Sequence, residues 1–180
     1  MNKENIIIGV TGSIACYKSL DLIRRLRRLG ASVEVILTKE AEEFIRPILF
    51  QAISGSKVVT ADLFRLPEEW DAAHISLAEK ADLVLVAPAT ANIIGKVANG
   101  ICDDMLTCAI CATKSPVLFA PAMNEAMYKN KIVQENIRRL KKFGYSFTGP
   151  IKGRLACGSE GIGHIQDTEG IVKEVKRLLK

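Results

Sequence analysis

No apolar run in the 180-residue sequence approaches the length needed to cross a bilayer, so membrane insertion is not expected. The apolar run near the start, Ile6 to Val10, is too short for a signal peptide and has no cleavage-like end. It reads as a first strand, and a cytoplasmic protein is expected. Cysteine is scarce and odd in number. Cys16, Cys102, Cys108, Cys111 and Cys157, without a secretion signal, argue for free thiols in a reducing compartment rather than a disulfide framework. Cys108 and Cys111 form a CxxC within a helical pattern, but no second ligand pair accompanies them. Buried structural cysteines are therefore expected there instead of a zinc site. Adjacent Asp103 and Asp104 open a helix pattern and serve its dipole, and no metal is assigned.

Aromatic residues make up only 6% of the chain, and none interleaves with its basic groups, which removes the stacking platform that single-strand binding needs. The formal net charge of +5 gathers in Arg24, Arg25, Arg27 and Arg28, with a smaller group at Lys141 and Lys142. On a helix the arginines flank an apolar stripe of Leu22, Ile23, Leu26 and Leu29, so they read as a solvated face and no nucleic-acid partner is expected. A mildly basic chain nonetheless attracts a phosphorylated small molecule. With 48% hydrophobic and 25% charged residues, the length suits one domain with a substantial core.

What is present is an alternation of strand and helix patterns. Strands are expected at Ile6–Val10, Val33–Leu37, Val58–Val59, Leu83–Ala87, Val117–Ala120 and Tyr145–Thr148. Helices are expected over Ser13–Leu29, ending at Gly30, over Ala41–Ser54 with Pro47 kinking or splitting it, and over Ile93–Ala98 and Asp103–Ala112. Two more follow, Glu125–Phe143 and a final helix carrying Ile171, Val172, Val175, Leu178 and Leu179. Repeated βα units imply an α/β domain, a three-layer Rossmann-like (flavodoxin-like) parallel sheet with helices on both faces. Ligands bind such sheets beyond the carboxyl ends of the strands. Here those ends are Thr11-Gly12-Ser13, Thr38, Pro88-Ala89-Thr90-Ala91-Asn92 and Pro121-Ala122-Met123-Asn124. The segment 149–165, with glycines at 149, 153, 158, 161 and 163, is too long for a simple connector and reads as a mobile active-site flap.

The first strand-to-helix loop, Gly9-Val10-Thr11-Gly12-Ser13-Ile14-Ala15, is neither a Walker A loop nor the GxGxxG fingerprint. Exposed amides with Gly12 and a Ser13 hydroxyl suit one mononucleotide phosphate better than a pyrophosphate, and a tight turn with an ordinary N-cap serine would look the same. Thr38 is placed to add a second phosphate contact.

Together, GVTGSIACYK, His74-Ile75-Ser76-Leu77, ADLVLVAPATAN, GKVANGICDDMLT, PAMN at 121–124 with Met127, and Leu155-Ala156-Cys157-Gly158 resemble the homo-oligomeric flavin-containing cysteine decarboxylases. Within that family the likeness is to the branch acting on 4′-phosphopantothenoylcysteine, and it covers essentially the whole chain, 1–180. It implies an FMN cofactor whose phosphate is held by Gly12, Ser13 and Thr38, with Ile14 beside them. Pro88, Ala89, Thr90 and Asn92 would lie against the ring system, and Phe44 would also touch flavin. The resemblance further implies that Asn124 binds the substrate carboxylate, that His74 sits beside the flavin, and that Cys157 is the acid of the last step. Met123, Ala156 and Gly158 would complete the substrate site. It also implies a homotrimer or a multiple of trimers with flavin sites between subunits. His164 departs from the arginine common in bacterial relatives.

The chemistry accounts for these residue types. Direct loss of the α-carboxylate from a cysteine amide leaves an unstabilised carbanion. Oxidation at the thiol-bearing carbon gives a thioaldehyde β to the carboxylate, carbon dioxide leaves to form an enethiolate, and returned hydride with a proton yields 4′-phosphopantetheine. His74 suits positioning or deprotonating the thiol. The Asn124 amide fixes the carboxylate without over-stabilising its charge. Cys157 supplies the proton under a flap that excludes water. Taken singly, His74 reads as an ordinary surface or core histidine, Cys157 as packing and Asn124 as a helix N-cap.

The competing expectations are a sister flavoprotein, either a peptidyl-cysteine decarboxylase or a flavin prenyltransferase, and a non-catalytic flavin-binding regulatory subunit. The Leu-Ala-Cys-Gly flap argues against the first two, and an intact set of candidate residues argues against the third. The resemblance is compatible with a stand-alone enzyme or with the first half of a bifunctional protein that also carries a phosphopantothenate–cysteine ligase.

Overall fold

The computed structural model describes residues 3–56, 58–60, 73–154, 156, 158 and 160–180, and the side chains of Ala73 and His74 fall outside that description. Six strands are β1 (Asn5–Val10), β2 (Ser32–Leu37), β3 (Val58–Val59), β4 (Leu83–Ala89), β5 (Val117–Pro121) and β6 (Ser146–Phe147). They pair in parallel in the order β3-β2-β1-β4-β5-β6. The order reverses direction between β1 and β4, and a crevice opens above the strand ends at such a switch point. β4 is buried at every position, as a central strand covered on both faces must be.

The helices are α1 (Lys18–Arg28), α2 (Lys39–Glu42), α3 (Pro47–Ser54), α4 (Ala73–Lys80), α5 (Ala91–Ala98), α6 (Met105–Ala112), α7 (Glu125–Lys129), α8 (Lys131–Lys142) and α9 (Thr168–Leu178). Alternate residues of β1 point to opposite faces and found two core layers. On one face Ile6, Ile8 and Val10 join Leu22, Ile23 and Leu26 of α1, Phe50 of α3 and Val175 of α9. On the other, Ile7 joins Val84, Val86 and Phe119 with Ile93 of α5, Leu106 of α6 and Leu140 of α8. The expected three-layer sandwich is present, and Arg24, Arg25, Arg27 and Arg28 lie exposed on the solvent side of α1.

Several local expectations are refined. The helix expected from Ser13 begins as a 3-10 turn over Ile14–Tyr17, capped by the Ser13 hydroxyl, before α1 starts. Pro47 splits the 41–54 segment, because it opens α3 at the position where its missing N–H costs nothing. The 125–143 helix divides at Asn130, whose side chain accepts from the Ile132 amide at 2.9 Å and starts α8. α4 had no expected counterpart; its only described buried side chains are the adjacent Leu77 and Ala78, too few to make a stripe. The CxxC cysteines are not buried as expected. α6 turns Met105, Leu106, Ala109 and Ile110 inward, which leaves Cys111 exposed and Cys108 half-buried. Burial and the neighbouring Cys111 push the Cys102 thiol up to about 11.

The glycine-rich segment is a hairpin. β7 (Ile151–Arg154) and β8 (Glu160–His164) pair antiparallel, apart from the main sheet. β8 docks on the loop after β5: the Met123 amide donates to the Gly163 carbonyl at 3.1 Å, and the Ile162 amide donates to Glu125 Oε1 at 3.3 Å. A Cβ on Gly163 would stand 2.1 Å from the Met123 carbonyl oxygen, so only glycine admits this approach. Lys129 and the Ile162 amide together hold the Glu125 carboxyl below its usual range.

The ends of β1 and β4 are tied by side chains. The buried Thr11 hydroxyl donates to the Pro88 carbonyl at 2.8 Å and accepts from the Thr90 amide at 3.2 Å. In the first turn of α1, the Ser19 hydroxyl donates to the Ala87 carbonyl at 2.7 Å.

Two outcomes follow. Thr11→Val keeps the volume but leaves the Pro88 carbonyl and Thr90 amide without their partner, and should destabilise the fold by about 1–3 kcal/mol in urea unfolding; an unchanged midpoint would show that the tie contributes nothing. Gly163→Ala should lift the hairpin, seen as faster hydrogen exchange at the Met123 amide with exchange at Leu85 in β4 unchanged. Equal protection of Met123 in both proteins would contradict that.

Candidate active site

Two cavities open above the switch point. The first, about 290 Å³, is lined by the β1 loop (Thr11, Gly12, Ser13), by Thr38 and Glu40 after β2, by Thr90 to Ile93 after β4, and by Asp104, Ala122, Met123 and Met127. The second, about 520 Å³, is bounded by Ser13 to Ala15, Tyr17 and Lys18, by Ala122, Met123 and Asn124, and by Arg154, Ala156 and Gly163 to Ile165 of the hairpin region. Ser13, Ala122 and Met123 belong to both, so the cavities adjoin along that wall.

The first cavity has the chemistry of a phosphate-ended ligand site. Thr38 is only 5% exposed, yet its Oγ1 has no hydrogen-bond partner among the described residues. A buried hydroxyl without a partner costs free energy that a bound acceptor would recover. Gly12 faces it where α2 passes close: a Cβ there would lie 2.4 Å from the Glu40 Cβ and 3.2 Å from the Glu40 backbone carbon. The loop can therefore pack against α2 only while position 12 has no side chain. Across the cavity, Asp104 caps α6 by accepting from the Thr107 amide at 2.8 Å, while Lys96 reaches Asp103 at 2.8 Å and Asp104 at 3.2 Å. Burial pushes the Lys96 ammonium down, but the hydrogen bonds it donates to the two carboxylates, with their charge, outweigh it and leave it raised. Asp104 thus serves the helix start, as expected, while Asp103 is engaged by Lys96.

In the second cavity Asn124 both lines the space and caps α7, its Oδ1 accepting from the Ala126 amide at 2.8 Å. The cap fixes the orientation of the side-chain amide. Lys18 Nζ donates to His164 Nε2 at 2.9 Å, and His164 Nδ1–H donates to the Ile165 carbonyl at 2.8 Å. Burial lowers the Lys18 ammonium below its usual range, and the charge of Asp167 partly offsets this.

Of the residues expected from the sequence, Gly12, Ser13, Thr38, Thr90 and Asn92 line the first cavity, Ile14, Asn124 and Ala156 the second, and Met123 both. Pro88 and Ala89 lie buried in β4 behind the wall and contribute backbone rather than surface. Phe44 is 54% exposed and lines neither cavity of its own chain, and Gly158 sits exposed between the hairpin strands. The side chain of His74, and Cys157 altogether, lie outside the described residues. The sequence reading missed Glu40 and Asp104 in the first cavity and Tyr17, Lys18 and Arg154 in the second. Tyr17 and Lys18 carried a signal, since they stand one helical turn beyond the Ser13 loop.

Comparison with known proteins identifies the family and the fold. The family model described as "Flavoprotein" matches residues 1–180. The chain is 47% identical over 173 residues to the coenzyme A biosynthesis bifunctional protein CoaBC of Bacillus subtilis, covering 96% of this chain and 42% of that protein. It therefore spans about two fifths of the length of that relative. It is 40% identical over 178 residues to the probable phosphopantothenoylcysteine decarboxylase of Streptococcus mutans, covering 98% of this chain and 99% of that one. Among solved structures, a cysteine-to-serine mutant of PPC decarboxylase complexed with pantothenoylaminoethenethiol superposes with TM-score 0.85 at 29% identity over 98% of each chain. The FMN binding protein AtHal3 gives 0.82 at 30% identity, over 98% of this chain and 96% of that one. With a strand-end crevice that ends in an orphaned buried hydroxyl and a family match over its whole length, the chain belongs to the flavoprotein family.

Proposed function

We propose that this chain is an FMN-dependent decarboxylase that converts 4′-phosphopantothenoylcysteine to 4′-phosphopantetheine in coenzyme A biosynthesis. The observation that carries this reading is the pair of adjoining cavities sharing Ser13, Ala122 and Met123, one ending in the unpartnered Thr38 hydroxyl and the other walled by Asn124 and the hairpin. FMN fits the first. Gly12, Ser13 and Thr38 would hold its phosphate, and Thr90 and Asn92 would flank the rest. When bound, it supplies the acceptance and return of hydride that make decarboxylation of an unactivated cysteine feasible.

The chain's own residues then divide the work. Asn124, held by its cap, orients the substrate carboxylate through a neutral amide, which binds the reactant without opposing loss of its charge. His74 positions the thiol and takes its proton. Cys157 delivers a proton to the product carbon, and the hairpin, closed on Met123 by backbone contact, keeps water away. Met123, Ala156 and Gly158 shape the space around the substrate. The assembly is read as a homotrimer or a multiple of trimers in the cytoplasm. The exposed Phe44 then contacts flavin in a site built between subunits. A phosphopantothenate–cysteine ligase, fused or separate, would supply the substrate.

The test is incubation of the FMN-loaded protein with 4′-phosphopantothenoylcysteine, followed by mass spectrometry beside Cys157→Ser. The wild type should form 4′-phosphopantetheine and the variant should accumulate the oxidised enethiol; a yellow protein that turns over nothing would instead indicate a sister enzyme or a regulatory flavoprotein. In a second measurement, Gly12→Val should weaken FMN binding by about 10-fold or more, roughly 1.4 kcal/mol, by flavin titration. Retention of wild-type affinity would move the phosphate site elsewhere.

A further inference from the structure

The second cavity is electrically one-sided. Lys18, Arg154 and His164 line it, and among its described lining residues there is no carboxylate. Lys18 comes from α1 and the other two from the hairpin strands β7 and β8. The His164 Nδ1–H is committed to the Ile165 carbonyl, so its Nε2 presents a lone pair, and Lys18 Nζ donates to it at 2.9 Å. The imidazole thus aims the ammonium while occupying one of its three N–H groups. Among the described residues no carboxylate lies within ion-pair distance of Lys18. A half-buried cation held by a neutral ring, with a second cation lining the same cavity, is a place where an anion gains strongly.

Which anion it takes follows from the chemistry of the proposed reaction, on which this inference rests. The cofactor's phosphate is accounted for by the other cavity, where Thr38 carries the unpartnered hydroxyl. The substrate's carboxylate must lose its charge as carbon dioxide leaves, and cations gripping it would raise that barrier. The substrate's phosphate keeps its charge throughout, so binding energy spent there opposes nothing and can be used to orient the reacting end. We infer that Lys18 and Arg154, with His164 positioning Lys18, form a phosphomonoester subsite that bridges α1 and the hairpin. An occupied subsite ties the hairpin to the body of the domain through the ligand itself. It therefore links recognition of the phosphorylated end to closure over the reacting end.

The experiment compares kcat/KM for 4′-phosphopantothenoylcysteine and for unphosphorylated pantothenoylcysteine in FMN-loaded wild type, Lys18→Met and Arg154→Met. Arg154 is exposed, so its variant is not at risk of unfolding, and flavin absorbance reports retention of the cofactor in both. The wild type should prefer the phosphorylated substrate, and that preference should fall about 10-fold or more in Lys18→Met, the loss expected for one charge-assisted hydrogen bond, and by a smaller factor in Arg154→Met. His164→Gln, which keeps an acceptor for Lys18, should retain more of the preference than His164→Ala. Both substrates declining in proportion, with the ratio intact, overturns the subsite while leaving the decarboxylase reading standing. If neither substrate is turned over, the decarboxylase reading fails, and calorimetry decides the subsite separately. Tighter binding of 4′-phosphopantetheine than of pantetheine, abolished in Lys18→Met, supports it, and equal binding of the two overturns it.

Discussion

At the carboxyl edge of the sheet the strands run out of neighbours, and the backbone groups they leave must find partners without filling the space where a ligand sits. Thr11 meets this constraint with a single oxygen. Its hydroxyl donates to one strand-end carbonyl and accepts from the amide that opens the next helix, so the β1 and β4 loops are joined by the smallest group able to do both. Ser19 repeats the device at Ala87 from the first turns of α1. With these groups satisfied internally, the crevice stays open, and the hydroxyl left over is that of Thr38. Among the described residues Thr38 Oγ1 is the buried side-chain atom on this edge left without a partner, and the reading of the first cavity depends on that contrast with Thr11 and Ser19.

The hairpin is attached on a different principle. It makes no ladder with the main sheet and docks by main-chain contact, Gly163 to Met123, with the Glu125 carboxylate accepting from Ile162. One backbone pair, one half-buried carboxylate and the Lys18–His164 hydrogen bond are a modest attachment beside the layered core of the domain. Segments held this lightly are the ones proteins use as covers, because opening them breaks few contacts. The same geometry brings Arg154 and His164 against a cavity whose other wall is α1, where Lys18 already meets His164, so a ligand spanning the two would add to that contact.

How much of this was legible beforehand depended on whether side chains carried the signal. The parallel sheet was legible because Ile6 to Val10 and Leu83 to Ala87 are continuous apolar runs, and the strand-end loops were legible because their small residues follow those runs directly. The hairpin was legible only as a glycine-rich segment: the alternation of β8 falls on Gly161 and Gly163, which bury without an apolar side chain to announce it. The inward turn of α6 reversed the expectation for Cys108 and Cys111, since Met105, Leu106, Ala109 and Ile110 compete for the same core and win on apolar area. Phe44 shows another limit. Its resemblance-based role concerns a flavin, while its own chain leaves it exposed, and a single sequence carries no sign of which subunit's ligand a residue meets. Lys18 and His164 are separated by 146 positions and meet only through the tertiary fold.

In the proposed reaction the charges around the two cavities are sorted by what each anion must do. Where a phosphate would stay bound as part of a cofactor, the wall offers hydroxyls and backbone in Gly12, Ser13 and Thr38, and the nearby Asp104 is engaged in capping and ion-pairing. Where a carboxylate must be lost, the wall offers the neutral amide of Asn124. The cations Lys18 and Arg154 are reserved for the remaining part of the second cavity. Had a lysine stood in place of Asn124, it would have bound substrate more tightly and slowed the step that follows, because stabilising the reactant's charge deepens the ground state without helping a transition state in which that charge is leaving. Separating a strong grip on the spectator phosphate from a weak one on the reacting carboxylate lets binding energy from one end of the substrate position the other.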